Sequence, residues 1–132
     1  MSWTLDPSFD RPENAELLAY LRRESPSAHS DIASVLTDAA RALPDTRSWC
    51  PDPAAYAFVA LATRDRRIFA LARGMRSLVF ALPAEAHATA IAQGGRPCPE
   101  IGSNWIEWSA FPATDFALWC KRAHDYAARL TQ

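Results

Sequence analysis

The sequence predicts an α+β domain: an antiparallel sheet of four or more strands with a central three-stranded meander, packed by flanking helices in the order α-α-β-β-β-α-β-α. Three observations lead there. Residues 56–63, 67–72 and 76–82 are short apolar runs rich in Val, Ile, Phe and Leu, parted only by Arg64, Asp65 and Arg66 and by Arg73, Gly74 and Met75. Runs of that length between turn residues read as strands joined by hairpins. No helical stretch separates them, so parallel crossovers are excluded, and helical periods lie before and after the meander.

The elements follow in order. Residues 1–9 set Trp3, Leu5 and Phe9 among turn formers, an arm whose aromatics dock on the body. Asp10 and Glu13 stand at capping-box spacing with Pro12 in the first turn, and Leu17, Leu18 and Leu21 then form one apolar helical face. Pro26 disfavours helical geometry at Ser25. A second helix is expected over residues 28–43, where Ile32, Val35, Leu36, Ala39 and Leu43 repeat with helical period. Residues 44–53 read as a loop with Trp49 over a core edge. In the meander's second turn, Gly74 supplies the positive φ of a tight hairpin.

Pro83 opens a short helix over residues 84–93, stopped by Gly94 and Gly95. Residues 96–103 read as a loop. Residues 104–109 read as a fourth strand with Trp105, Glu107 and Ser109 on one face and Ile106 and Trp108 on the other, ended by Pro112. Thr114 is the expected N-cap of a last helix carrying Phe116, Trp119, Cys120, Ala123, Tyr126 and Leu130 at helical spacing.

A chain of 132 residues is expected to form a single domain over 1–132. At that length it buries about two-thirds of the surface exposed by the unfolded chain, enough to fold without metals or disulfides. The net charge of −1 offers no global attraction for nucleic acid or anionic lipid. Of 14 basic residues only Lys121 is lysine, a bias read as compositional. No apolar run approaches the ~18 residues of a membrane span, and the N-terminus lacks a signal-peptide pattern. Cys50, Cys98 and Cys120 are odd in number and dispersed. Free thiols and a cytoplasmic location are therefore expected.

Residues 43–126 resemble the MmcQ/YjbR-like family of small bacterial proteins. The likeness is carried by Leu43 and Pro44 closing a helix, by the strand Arg67 to Leu71, and by the strand Ser77 to Leu82 with Pro83 after it. A strand bearing Trp105 and Ile106 and a final helix from near Asp115 complete it. The resemblance implies a compact α+β domain of a kind described as DNA-binding by structural analogy, and no catalytic residue carries over.

Candidate chemistry is sparse. Arg64, Arg66, Arg67, Arg73 and Arg76 are five arginines in thirteen residues and are candidate phosphate contacts. A meander splits them between two tips at opposite ends of the sheet, so nucleic-acid binding, if present, is expected to be weak and non-specific. His29, His87 and His124 show no metal-ligand spacing, and no metal or other cofactor is expected. Cys120 and His124 stand at i and i+4, where a thiolate–imidazole pair competes with a buried, inert thiol.

Trp49, Trp105 and Trp108, with Glu107 and Asn104, are candidates for an aromatic-walled ligand or partner surface. The leading function is thus a non-enzymatic binding or interaction domain with a Trp-lined surface. The alternatives are a nucleic-acid binder using the arginine tips and an enzyme with an acid or base at Glu107 or His124. Both faces of the meander are apolar. Either residues 1–43 or a second copy, in a homodimer, must cover the second face.

Overall fold

The computed structural model describes residues 4–52, 56–109 and 115–130. Their strands are β1 (Arg47–Trp49), β2 (Val59–Ala62), β3 (Ile68–Arg73), β4 (Ser77–Ala81), β5 (Arg96–Pro97) and β6 (Trp105–Ser109). They pair in the spatial order β1-β2-β3-β4-β6-β5, each neighbour antiparallel. The helices are α1 (Ala15–Glu24), α2 (Ser30–Ala39), α3 (His87–Ala92) and α4 (Phe116–Leu130). The expected α+β class, central meander and order of helices and main strands are therefore present.

Two edge strands lie inside the stretches read as loops. β1 has three residues and β5 two, too short for an alternating pattern to register. Pro97 suits β5 because an edge strand tolerates the missing N–H. The expected capping box at the first helix is replaced by 3₁₀ turns over Pro7–Phe9 and Pro12–Asn14, and Glu13 pairs with Arg11 Nε at 2.8 Å. Helix α1 ends where Ser25 turns left-handed at φ 41°. Helix α2 is shorter than residues 28–43, because Ala28 is drawn into a bridge with Gly74 and the backbone turns at Ala40. The expected cap at Thr114 and break at Pro112 lie outside the described residues, as does Trp3. Asp115 Oδ1 accepts the Leu118 N–H at 3.0 Å and so caps α4.

Helices cover both faces of the sheet. On one face α2 and α4 set Ile32, Leu36, Trp119, Cys120 and Ala123 against Leu61, Phe69, Leu78, Phe80 and Trp108. On the other, the arm and α1 set Phe9, Leu17, Leu18 and Leu21 against Phe58, Leu71, Val79 and Trp105. Burying each large side chain of these sets contributes about 1.5–3 kcal/mol. The same chain thus covers the second face, and no second copy is needed for that purpose.

One face assignment changes. A bulge between β2 and β3 sets Leu61 against Ala70 but Ala62 against Ile68. The extra residue, Phe69, turns toward the α2/α4 side together with Ala70 and Ala72, while Ile68 and Leu71 face the arm. Phe69 and Ala70, neighbours in sequence, therefore share a face, and the alternation of a regular strand slips by one position.

Asn14 ties α1 to the β2–β3 turn. Its Nδ2 donates to the Phe9 carbonyl at 2.9 Å and the Arg66 carbonyl at 2.8 Å, and its Oδ1 accepts the Ile68 N–H at 2.9 Å. Cys50, Cys98 and Cys120 are free thiols. No helix among the described residues is long and apolar enough to cross a membrane.

Candidate functional site

At the β3–β4 end of the sheet, polar side chains replace apolar ones on the α1 face. Antiparallel register places them side by side. Arg73 pairs with Ser77 across β3 and β4, Ser77 with Ser109 across β4 and β6, and Arg96 with Glu107 across β5 and β6. Arg73, Ser77, Glu107 and Arg96 therefore form a polar stripe across four adjacent strands.

Arg73 is its hub. Its Nη2 donates to Glu107 Oε2 at 2.7 Å and Glu100 Oε1 at 3.0 Å, Nε to Ser77 Oγ at 3.3 Å, and Nη1 to the Tyr20 hydroxyl on α1. Glu107 also accepts from Ser77 Oγ on Oε2, and on Oε1 from Arg96 Nε at 2.8 Å and Nη2 at 2.7 Å. The Arg73 and Glu107 side chains are only 13% and 10% exposed, whereas Arg96 is 77% exposed. A buried ion pair is thus sealed from outside by a solvent-facing arginine.

Above this stripe opens a cleft of about 690 Å³. The β3–β4 turn forms one wall, with Gly74 at φ +65°. The turn is held by the segment before α2: the Gly74 N–H donates to the Ser27 carbonyl at 2.6 Å, and the His29 N–H to the Gly74 carbonyl at 2.9 Å. Gly94, Trp108 and Ser109 line the opposite side, and Tyr20 and Pro26 line the α1 side. Met75 at the turn's tip is 69% exposed.

The electrostatics are those of a settled platform. Burial works against a charged Glu107, but the bonds from Ser77, Arg73 and Arg96 outweigh it and hold the carboxyl below the ordinary glutamate range. The Cys98 thiol bond, ahead of Arg73, holds Glu100 down at about 2. Cys98 itself is pushed up to about 12 by burial and by its bond to Glu100. Burial raises Cys120 to about 12 as well. Neither thiol supplies a thiolate nucleophile near neutral pH.

The candidate residues read from sequence are dispersed. Glu107 is central to the cleft, and of the tryptophans read as a surface only Trp108 lines it. Trp108 is nevertheless core, 1% exposed, with Nε1 donating to the Gln93 carbonyl at 3.2 Å. Trp105 packs under the arm on the opposite sheet face, and Trp49 stacks on Phe9 with ring centroids 4.9 Å apart. The expected Trp-lined surface is therefore replaced by a buried set in two core layers. Asn104 Nδ2 donates to the Tyr126 hydroxyl at 3.3 Å.

The five meander arginines divide as the topology requires, Arg64, Arg66 and Arg67 at one end and Arg73 and Arg76 at the other. Arg66 lies against the arm, its Nε donating to Ser8 Oγ at 3.2 Å and its guanidinium 5.8 Å from the Phe9 ring centre. His124 packs edge-on against Phe69 on the α4 side, so it and Glu107 occupy opposite faces of the sheet. His87 Nε2 contacts the Leu82 carbonyl and Cys50 the Ala57 carbonyl. Among the described residues, no three His, Cys, Asp or Glu side chains converge as a metal site.

Tyr20, Ser77 and Arg96 are the cleft residues that sequence reasoning missed. A signal existed: Arg73, Ser77, Glu107 and Ser109 all fall at the parity of the arm-facing side, where their strand neighbours are apolar. Comparison with protein families, with characterised proteins and with solved structures finds no match to this chain.

Proposed function

We propose that this chain is a non-enzymatic small-molecule-binding domain whose ligand occupies the cleft over the Arg73–Glu107 pair. The observation that carries this reading is the pairing of a cleft of about 690 Å³ with a floor whose charged groups are already bonded to one another. That volume falls within the roughly 300–1,000 Å³ of small-molecule sites. A catalytic acid or base needs a proton it exchanges near neutral pH. Glu107, held ionised by three donors, instead supports a fixed surface.

The other readings have less behind them. A nucleic-acid interface would need the arginines on one surface, and the meander parts them. A homodimer was motivated by an uncovered sheet face, and the arm and α1 provide that cover. The three free thiols favour a reducing compartment, and we place the protein in the cytoplasm on that ground. We further propose kinship with MmcQ/YjbR-like proteins, supported by the succession of the 77–82 strand, Pro83, the Trp105 strand and the closing helix.

Soaking crystals in mixtures of small fragments tests the binding reading. Density over Arg73 and Glu107, walled by Met75 and Trp108, is the expected outcome. Fragments that collect only at other surfaces overturn it.

A further inference from the structure

We infer that the cleft binds an uncharged planar aromatic ring, laid on the open face of the Arg96 guanidinium; this rests on the binding function proposed above and names its ligand class. The charges of the cleft are already matched. Arg73 Nη2 is given to Glu107 and to Glu100, the latter in the loop between β5 and β6. Arg96 gives Nε and Nη2 to Glu107 Oε1, and Arg76 too has a partner. A charged ligand would shed its water to meet groups that are already answered. An uncharged one leaves every pair intact.

The positive signal is the way Arg96 is held. A guanidinium is flat, and a carboxylate takes it by its edge. With the Nε/Nη2 edge on Glu107, the 77% of the side chain that stays exposed includes the faces of the plane. Those faces stack on aromatic rings. The fold itself uses that contact repeatedly: Arg122 lies over Trp119, Arg73 over Tyr20 and Arg66 over Phe9, at 4.9, 5.3 and 5.8 Å from the ring centres. Among the described residues no ring lies over Arg96. Glu107, bonded on its other oxygen by Arg73 and Ser77, fixes the guanidinium in place, so the platform is set before a ligand arrives.

The β3–β4 turn suits the same ring. Met75, 69% exposed at its tip, offers a flexible thioether, which packs well against aromatic rings. β5 lies two strands from β4 in the sheet, about 10 Å at ordinary strand spacing, a span that admits a ring between the platform and the turn. Ser27 and Ser109 at the rim offer hydroxyls to an uncharged polar substituent.

The test titrates the whole chain with four matched probes: benzamide, cyclohexanecarboxamide, benzoate and benzylammonium. Binding is read from the Arg96 Nε–H and Met75 methyl resonances and from the Gly94 and Ser109 amides. Benzamide is expected to bind best and to move the Arg96 Nε–H upfield, as a ring over the plane requires. Cyclohexanecarboxamide has the same amide and no aromatic face, and is expected to bind about threefold more weakly or worse. Benzoate is expected to bind no more tightly than benzamide, and benzylammonium more weakly than either. Arg96→Gln should remove the preference for benzamide over cyclohexanecarboxamide, and Met75→Ser should weaken both; these are surface changes that leave the fold's circular dichroism unaltered. Equal affinity for the two carboxamides, benzoate tighter than benzamide, or a preference for benzamide that survives Arg96→Gln overturns the ligand class while leaving the cleft as a binding site. Failure of all four probes to shift the cleft signals overturns both.

Discussion

The two turns of the meander carry the same kind of residue and meet opposite fates. The β2–β3 turn, with Arg64, Asp65 and Arg66, is braced by the arm: Asn14 bonds Arg66 at its end and Ile68 beyond it, and Arg66 lies on Phe9, while Arg64 and Asp65 stay exposed. The β3–β4 turn, with Gly74, Met75 and Arg76, borders an open cleft. Left-handed backbone occurs at both, at Arg66 with φ 67° and Gly74 with φ 65°. At the first the conformation is held by a buried amide, and at the second glycine adopts it freely. Arginine in a turn is therefore uninformative until one knows what the rest of the chain lays over it.

Substitutions at the two ends should separate these roles. The largest effect is expected from Arg73→Met, which takes from Glu107 its buried cation and leaves it Ser77 and the exposed Arg96. Loss of one partner from a buried pair costs about 3–5 kcal/mol, read by urea unfolding. Adding Glu107→Leu should restore much of that loss, since no buried charge then remains. A double variant no more stable than Arg73→Met would show that the pair is not the source.

Asn14→Leu at the sealed end comes next. It takes the Asn14 amide from the Arg66 carbonyl and the Ile68 N–H, while the Phe9 carbonyl keeps the Arg11 N–H, and each unsatisfied buried group costs about 1–3 kcal/mol. A loss of about 3 kcal/mol is expected, with the β2–β3 amides losing hydrogen-exchange protection before those of the β3–β4 turn. Uniform loss of protection at both ends would contradict a local role.

Acid should act chiefly on the open end. Glu100 and Glu107 have pKa values lowered on folding, Glu100 from 4.5 to about 2. Their stabilisation is complete above the unfolded value and disappears as pH falls through the folded one. Stability should thus decline from pH 4.5 toward 2, and Glu100→Gln should flatten that decline. An unchanged acid slope in the variant would remove Glu100 from the account.

The smallest effect is expected at Gly74. A Cβ built there meets nothing within 4 Å. Gly74→Ala should therefore cost only the left-handed backbone term of about 1–2 kcal/mol. Gly95→Ala makes the contrast, because its Cβ would lie 2.7 Å from Ile106 Cγ2 and 2.9 Å from Trp108 Cε2. A larger loss at Gly74 than at Gly95 would reverse the expected order.

Most of the sheet was legible because its strands obey short-range patterns. Val59 to Ala62, Ser77 to Ala81 and Trp105 to Ser109 alternate as read. The bulge at Phe69 was hidden, since an apolar residue fits either face and no glycine marks it. The cleft was half legible. Glu107 stood out, but its partners Arg73 and Arg96 lie 34 and 11 positions away, and only the register of β6 with its neighbours brings the stripe together. The tryptophans misled because size marks both core and pocket residues, and burial decides which.

The comparison between the two ends is tested most directly by one amide spectrum recorded during titration with the small fragments of the binding test. The account predicts shifts confined to residues 74–77, 94–96 and 107–109, with residues 64–68 unmoved. Shifts centred on Arg64 to Ile68, or of equal size at both turns, would contradict it.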